Sequence, residues 1–158
     1  HAVHPAGGAG GGPGDGGANP MTISWGMFGI MWGKPVMMAM VRPTRHTWTL
    51  ITEAPDFTVN WLLADMSDAL KLCGTASGRD MDKWAAAGLT PVPATTVISP
   101  VIAESHLALE CRILYRTDLV PDQFFDESLL KLYNNDFHSL FFGEIVAAAG
   151  DGHFRNPQ

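Results

Sequence analysis

Two arginines and two threonines crowd around a proline in Val41-Arg42-Pro43-Thr44-Arg45-His46-Thr47, directly after the apolar run 36–41. Guanidinium groups carry fixed charge and forked donors. Threonine hydroxyls and the free N–H groups of a helix start add donors at the same spot. Such a set suits anion binding, phosphate above all; the plain alternative is an ordinary helix cap beside solvated arginines. A second cluster, Ser77-Gly78-Arg79-Asp80-Met81-Asp82-Lys83, has a Ser-Gly turn ahead of a helix and a lysine as point charge, again suited to phosphate. Alone it reads equally well as a capping serine and an exposed Asp/Lys face. Of the five tryptophans, Trp25 and Trp84 lie beside these clusters and are candidates for the wall of a planar ligand, while Trp48 and Trp61 read as core. His138, in Asp136-Phe137-His138-Ser139, is a candidate for proton transfer, the alternative being a satisfied strand-end histidine.

Other chemistries are disfavoured. There is no Walker motif, GxGxxG, HExxH, or CxxC or zinc spacing around Cys73 and Cys111, so no metal site is expected. The two cysteines read as buried thiols of a reducing, cytoplasmic protein. A net charge of −6 and a pI near 5.3 argue against nucleic-acid binding. No apolar run reaches the roughly 18 residues of a membrane span. The opening His1-Ala2-Val3-His4-Pro5 lacks the apolar segment of a secretory signal. The chain opens on His1 rather than methionine, so its native start is not read from it.

The elements that must position these residues follow from patterning. With 158 residues, 46% hydrophobic and 16% charged, the chain suits one domain with a real core. Residues 1–18, mostly Gly, Ala and Pro, read as an irregular lead-in with no strand, because such composition offsets little ordering entropy. Residues 21–26 alternate as a strand. Gly26, Gly29 and Gly33 punctuate what reads as a loop. The run 36–41 reads as a strand buried on both faces, 44–51 as a short helix and 57–61 as a strand. A helix over 65–72 is broken at Cys73-Gly74-Thr75, and the helix after Lys83 ends at Gly88. Residues 106–117 form the clearest strand, with Leu107, Leu109, Cys111, Ile113 and Tyr115 on one face. Residues 121–133 form a connector, and 137–148 the last strand, with Gly143 a bulge or close-approach point. The fold class is mainly β with short helices, a β-barrel.

Five blocks in order, Asn19-Pro20-Met21-Thr22-Ile23-Ser24-Trp25-Gly26, Gly33-Lys34-Pro35-Val36, Val41 to Thr47, Cys73 to Lys83 and His138-Ser139-Leu140-Phe141-Phe142-Gly143-Glu144-Ile145-Val146, resemble the flavin reductase-like, FMN-binding split-barrel family, nearest its flavoredoxin branch. The resemblance spans roughly residues 19–147. It implies a split barrel over 19–149, with the tail beginning at 150, that binds FMN non-covalently as a homodimer. It implies oxidoreductase work: NAD(P)H-dependent flavin reduction, or electron transfer between proteins. By position, Asn19, Met21, Thr22 and Trp25 would lie near the flavin ring. Arg42, Thr44, Arg45 and Thr47 would hold the ribityl phosphate, Ser77, Gly78 and Lys83 would close the second side, and His138 would face the reactive ring. The family carries an apolar strand where this chain has residues 6–17, so an exposed barrel edge is expected there. The alternative function is a non-catalytic dimeric split-barrel module that has lost flavin.

Overall fold

The computed structural model describes residues 2–7, by their backbone, and 17–151. Nine strands appear among them: β1 (Ala2–Gly7), β2 (Ala18–Ile23), β3 (Gly26–Met31), β4 (Lys34–Val41), β5 (Asp56–Leu62), β6 (Pro91–Val92), β7 (Val101–Ile102), β8 (Ser105–Asp118) and β9 (Ser139–Gly150). Three short helices, α1 (His46–Ile51), α2 (Ser67–Thr75) and α3 (Lys83–Ala87), pack beside the sheet. Seven strands make one antiparallel sheet in the order β2-β1-β5-β8-β9-β4-β3. Its two end strands, β2 and β3, are joined in sequence by Ser24 and Trp25 alone. The sheet curls on itself yet does not hydrogen-bond shut, which is a split barrel.

The continuous apolar run 36–41 is the strand β4, paired to β3 on one side and β9 on the other. Val36, Met37, Met38, Ala39 and Val41 are buried, as a strand with neighbours on both edges requires. Inside the barrel Met21, Phe57, Val59, Cys111 and Phe141 form the main core, while Cys73, Trp84, Leu89 and Ile102 form a second one beneath α2 and α3. Trp48 and Trp61 pack against the main core, and both cysteines are buried and unpaired. Gly143 is a close-approach point: a Cβ there would stand 2.7 Å from the Phe57 ring and 2.8 Å from the Cys111 Cβ.

Five expectations need correction. Residues 2–7 form a strand, paired along its length with β2 and bridged to β5 at Val3–Asn60. Backbone pairing with a well-formed neighbour supplies what composition does not, and the edge of β5 is covered. Ala18 likewise begins β2, whereas His1 and residues 8–16 lie outside the described residues. Residues 26–31 are a strand, not a loop: Trp32 (φ 54°) and Gly33 (φ 69°) make a two-residue turn with both φ positive, matched to the twist of a hairpin. Helix α2 runs through Cys73 and Gly74 to Thr75. In β8 the pairing shifts between Glu110 and Cys111 and again between Ile113 and Tyr115; these bulges end the simple alternation and leave Tyr115 51% exposed. Strand β9 continues to Gly150 opposite Leu107, so the tail begins later than expected, and 152–158 lie outside the described residues.

Two buried carboxylates hold the loop 93–100 to the barrel. Glu110 accepts from the amides and hydroxyls of Thr95 and Thr96. Asp56 accepts from the amides of Ile98 and Ser99, each at 2.9 Å.

Candidate functional site

A groove opens where β2, the β4–α1 junction, the end of α2 and the start of α3 converge. Its larger part, about 580 Å³, is lined by Met21, Thr22, Trp25, Arg42, Thr44, Arg45, Asp136 and His138, among others. Met21, Thr44 and Arg45 also line a tighter hollow of about 60 Å³ with Asn19, His46, Thr47, Ser77, Gly78 and Lys83. Every residue expected at the site, from Asn19 to His138, therefore lies on one continuous groove. Beyond it, a further hollow of about 340 Å³ shares Asn19, His46, Gly78 and Lys83 and reaches Arg79 and Trp84. Trp84 is buried, with its indole N–H donating to Ala18 O at 3.0 Å, so it serves chiefly as core.

The two parts of the groove differ chemically. At the wide end Trp25 meets His138 with ring centroids 5.1 Å apart and Tyr133 at 6.0 Å. His138 is buried, and its Nδ1 lies 3.3 Å from the Tyr133 hydroxyl. Burial, helped by the Arg42 charge and opposed by Asp136, lowers the His138 pKa to about 4. The imidazole is therefore neutral at pH 7, a hydrogen-bond donor at one nitrogen and an acceptor at the other.

At the narrow end cations gather. Lys83 is 3% exposed and donates to Cys73 O at 2.8 Å. An ammonium has three N–H donors, so that bond leaves donors to spare. Burial, reinforced by Arg45, lowers the Lys83 pKa to about 8, with Cys73 opposing. Arg45 donates to Gly74 O, and Arg79 donates to Thr44 O at 3.2 Å. Thr47 is fully buried and accepts from the Asn19 amide at 2.7 Å. His46 Nδ1 is buried without a partner, and burial, with Arg79 and Lys83, lowers the His46 pKa. Gly78 has no room for a side chain: a Cβ would stand 2.0 Å from Asn19 Oδ1 and 2.9 Å from His46 Cδ2.

Between the two ends, Thr22 Oγ1 donates to Leu70 O at 2.6 Å, tying β2 to α2. Thr44 Oγ1 donates to the Asp136 carboxylate at 2.6 Å. The Arg42 guanidinium donates to Leu132 O at 3.1 Å and Asp136 O at 3.3 Å, and lies 5.1 Å from the Tyr133 ring centroid. Sequence reasoning overlooked Tyr133 and Asp136, which come from the connector before β9. Asp136 stands two residues from His138, and that adjacency was the available signal; nothing local marks Tyr133.

Comparison with known proteins agrees with this architecture. The family model described as flavin reductase like domain matches residues 6–157. The flavoredoxin of Desulfovibrio vulgaris (Miyazaki F) superposes with a TM-score of 0.74 at 21% identity, over 98% of this chain and 71% of that one. An FMN-binding protein from Thermus thermophilus gives a TM-score of 0.72 at 21% identity, over 98% and 72%. The NADH:FAD oxidoreductase SgcE6 of Streptomyces globisporus gives 0.68 at 19% identity, over 94% and 74%. Identities this low establish a shared fold, and no curated protein matches the sequence. With its split barrel and a family model matched across nearly its whole length, the chain belongs to the flavin reductase like domain family.

Proposed function

We propose that the protein binds FMN non-covalently in this groove and works as an oxidoreductase, either an NAD(P)H-dependent flavin reductase or a flavoredoxin-like electron carrier. One observation carries the reading: an aromatic, apolar end and a cationic, hydroxyl-rich end lie on a single groove. The donor set fits the molecule. Arg45, Ser77 and Lys83, with Thr47 behind them, suit a phosphate. The unpartnered His46 Nδ1, beside Gly78 in the narrow hollow, suits a close-packed polar tail. Met21, Trp25 and His138 suit the ring, with Asn19 and Thr22 supporting the strand beneath it. Arg42 and Thr44 form the wall between the two ends.

FMN, when bound, supplies the hydride and electron chemistry. The chain's own residues bind and orient it. His138, neutral at pH 7 and paired with Tyr133, offers a hydrogen bond to the ring or its reductant without adding charge. The flavoredoxin, the FMN-binding protein and the NADH:FAD oxidoreductase named above share this fold, and that likeness supports the reading without specifying a donor.

The protein works as a homodimer in this reading. Met27, Phe28 and Ile30 of β3 are 66–79% exposed, and Trp32 is 56% exposed. Such a contiguous apolar strand at a sheet end needs a cover, and a second copy supplies it. The lost-flavin alternative rested on a missing barrel strand, and β1 removes that reason.

Purified protein titrated with FMN should quench flavin fluorescence and shift its visible bands. Bleaching by NADH or NADPH identifies a reductase, and no bleaching by either identifies a carrier. Protein that takes up no FMN contradicts the proposal.

A further inference from the structure

We infer that Arg42 is a positioning residue that straps the connector 119–138 over the ring end of the groove, and is not a ligand of the phosphate. The connector leaves the sheet at the end of β8 and returns at the start of β9. Its ends are pinned to each other: Leu119 N–H donates to His138 O at 3.0 Å, and the Ser139 hydroxyl donates to Asp118. Its interior is a weakly built excursion of 3-10 turns, Pro121–Gln123 and Glu127–Leu132, with Phe125, Leu129 and Leu132 exposed. Such a segment has little burial of its own to hold it.

Among the described residues, the polar ties from the barrel to that interior come from Arg42 and Thr44. Arg42 reaches it three ways: Nη2 to Leu132 O, Nη1 to Asp136 O, and the guanidinium over the Tyr133 ring. Its nearest acid, Asp136, is 3.9 Å away. Thr44 adds its hydroxyl and amide to the Asp136 carboxylate. Two of the five guanidinium N–H donors, one on each terminal nitrogen, go to protein carbonyls, and the Asp136 carboxylate beside Arg42 repels a phosphate. The segment it holds carries His138, which with Trp25 lines the ring end, and Tyr133, which packs against both. Arg42 therefore acts on a bound ring through the connector.

Two measurements on R42A and R42K test this, one of which depends on the flavin reading. Flavin fluorescence titration compares FMN with riboflavin, which has the same ring and no phosphate. The strap predicts that R42A weakens both by the same factor, about tenfold, a change equivalent to about 1.4 kcal/mol. R42K keeps the charge but not the fork, and should recover neither ligand fully. Loss of FMN affinity with riboflavin unchanged, restored by R42K, would make Arg42 a phosphate ligand and overturn the inference. Amide hydrogen exchange on ligand-free protein gives the second arm. Amides of 119–138 should exchange at least about tenfold faster in R42A, with the strands unchanged. Unchanged exchange there overturns the strap, and faster exchange everywhere would show general destabilisation and overturn it too. If the wild type binds neither flavin, the flavin reading fails and the exchange arm still decides the strap.

Discussion

Replacing Gly78 with alanine tests how tightly the narrow end is built. The perturbation is one methyl group, placed 2.0 Å from Asn19 Oδ1, 2.7 Å from its Cγ and 2.9 Å from His46 Cδ2. Asn19 is buried and must swing away, which breaks its 2.7 Å hydrogen bond to the fully buried Thr47 hydroxyl. Leaving a buried polar partner unsatisfied costs about 1–3 kcal/mol. Alanine returns about 0.4–1 kcal/mol by restricting the unfolded chain. The net loss is about 1–2 kcal/mol, or about 3–6 °C in Tm for a domain of this size. The assay is urea denaturation of the wild type, G78A, N19A and the double variant. Once Asn19 is already truncated, the two nearest clash atoms are gone and only the edge of the His46 ring is left, so G78A should cost far less in the N19A background. The coupling is then about 1–2 kcal/mol. Equal cost in both backgrounds would refute the reasoning, because the damage would not pass through Asn19.

Further outcomes follow from other contacts. Lys83 has its pKa lowered to about 8 by burial, so it loses its proton as pH rises above that value. FMN affinity should fall above pH 8, by up to about tenfold per pH unit, with riboflavin binding flat and the slope absent in K83M; a flat FMN profile argues against Lys83 as the phosphate's partner. G143A should lose about 1–3 kcal/mol in urea unfolding, because the Cβ would strike the buried Phe57 ring and Cys111 in a strand paired on both sides; a neutral result would show that the sheet yields there. E110Q replaces one of two acceptor oxygens that together take four donors from Thr95 and Thr96, and should cost about 2–3 kcal/mol at pH 7. Burial raises the Glu110 pKa, but those hydrogen bonds outweigh it and hold it below the usual 4.5. The stabilisation is thus present above the unfolded value and lost as pH falls through the folded one, so the gap between E110Q and wild type should close in acid; a constant gap argues that charge plays no part.

Much of the scaffold was legible because its signals are local. The run 36–41 is apolar throughout and is β4; Gly88, with φ of 64°, ends α3. The polar clusters of the site were legible for the same reason, since Arg45, Thr47, Ser77, Gly78 and Lys83 sit in two short segments. What stayed hidden depends on partners distant in the chain. Nothing in residues 2–7 announces a strand; β2 and β5 make it one. Gly26 and Gly29 suggested a loop, but in β3 they sit at an edge whose only neighbour among the described residues is β4. Asp136 lines the groove and Tyr133 packs behind Trp25 and His138, in a segment contacted by Arg42 and Thr44, some 90 residues earlier.

The most direct test of the whole account is a fluorescence titration of FMN against the purified protein, followed by an absorption spectrum of the complex. The account predicts saturable quenching at one FMN per chain, shifted flavin bands, and weaker binding of riboflavin for want of the phosphate seat at Arg45 and Lys83. Unquenched FMN at every protein concentration would contradict it.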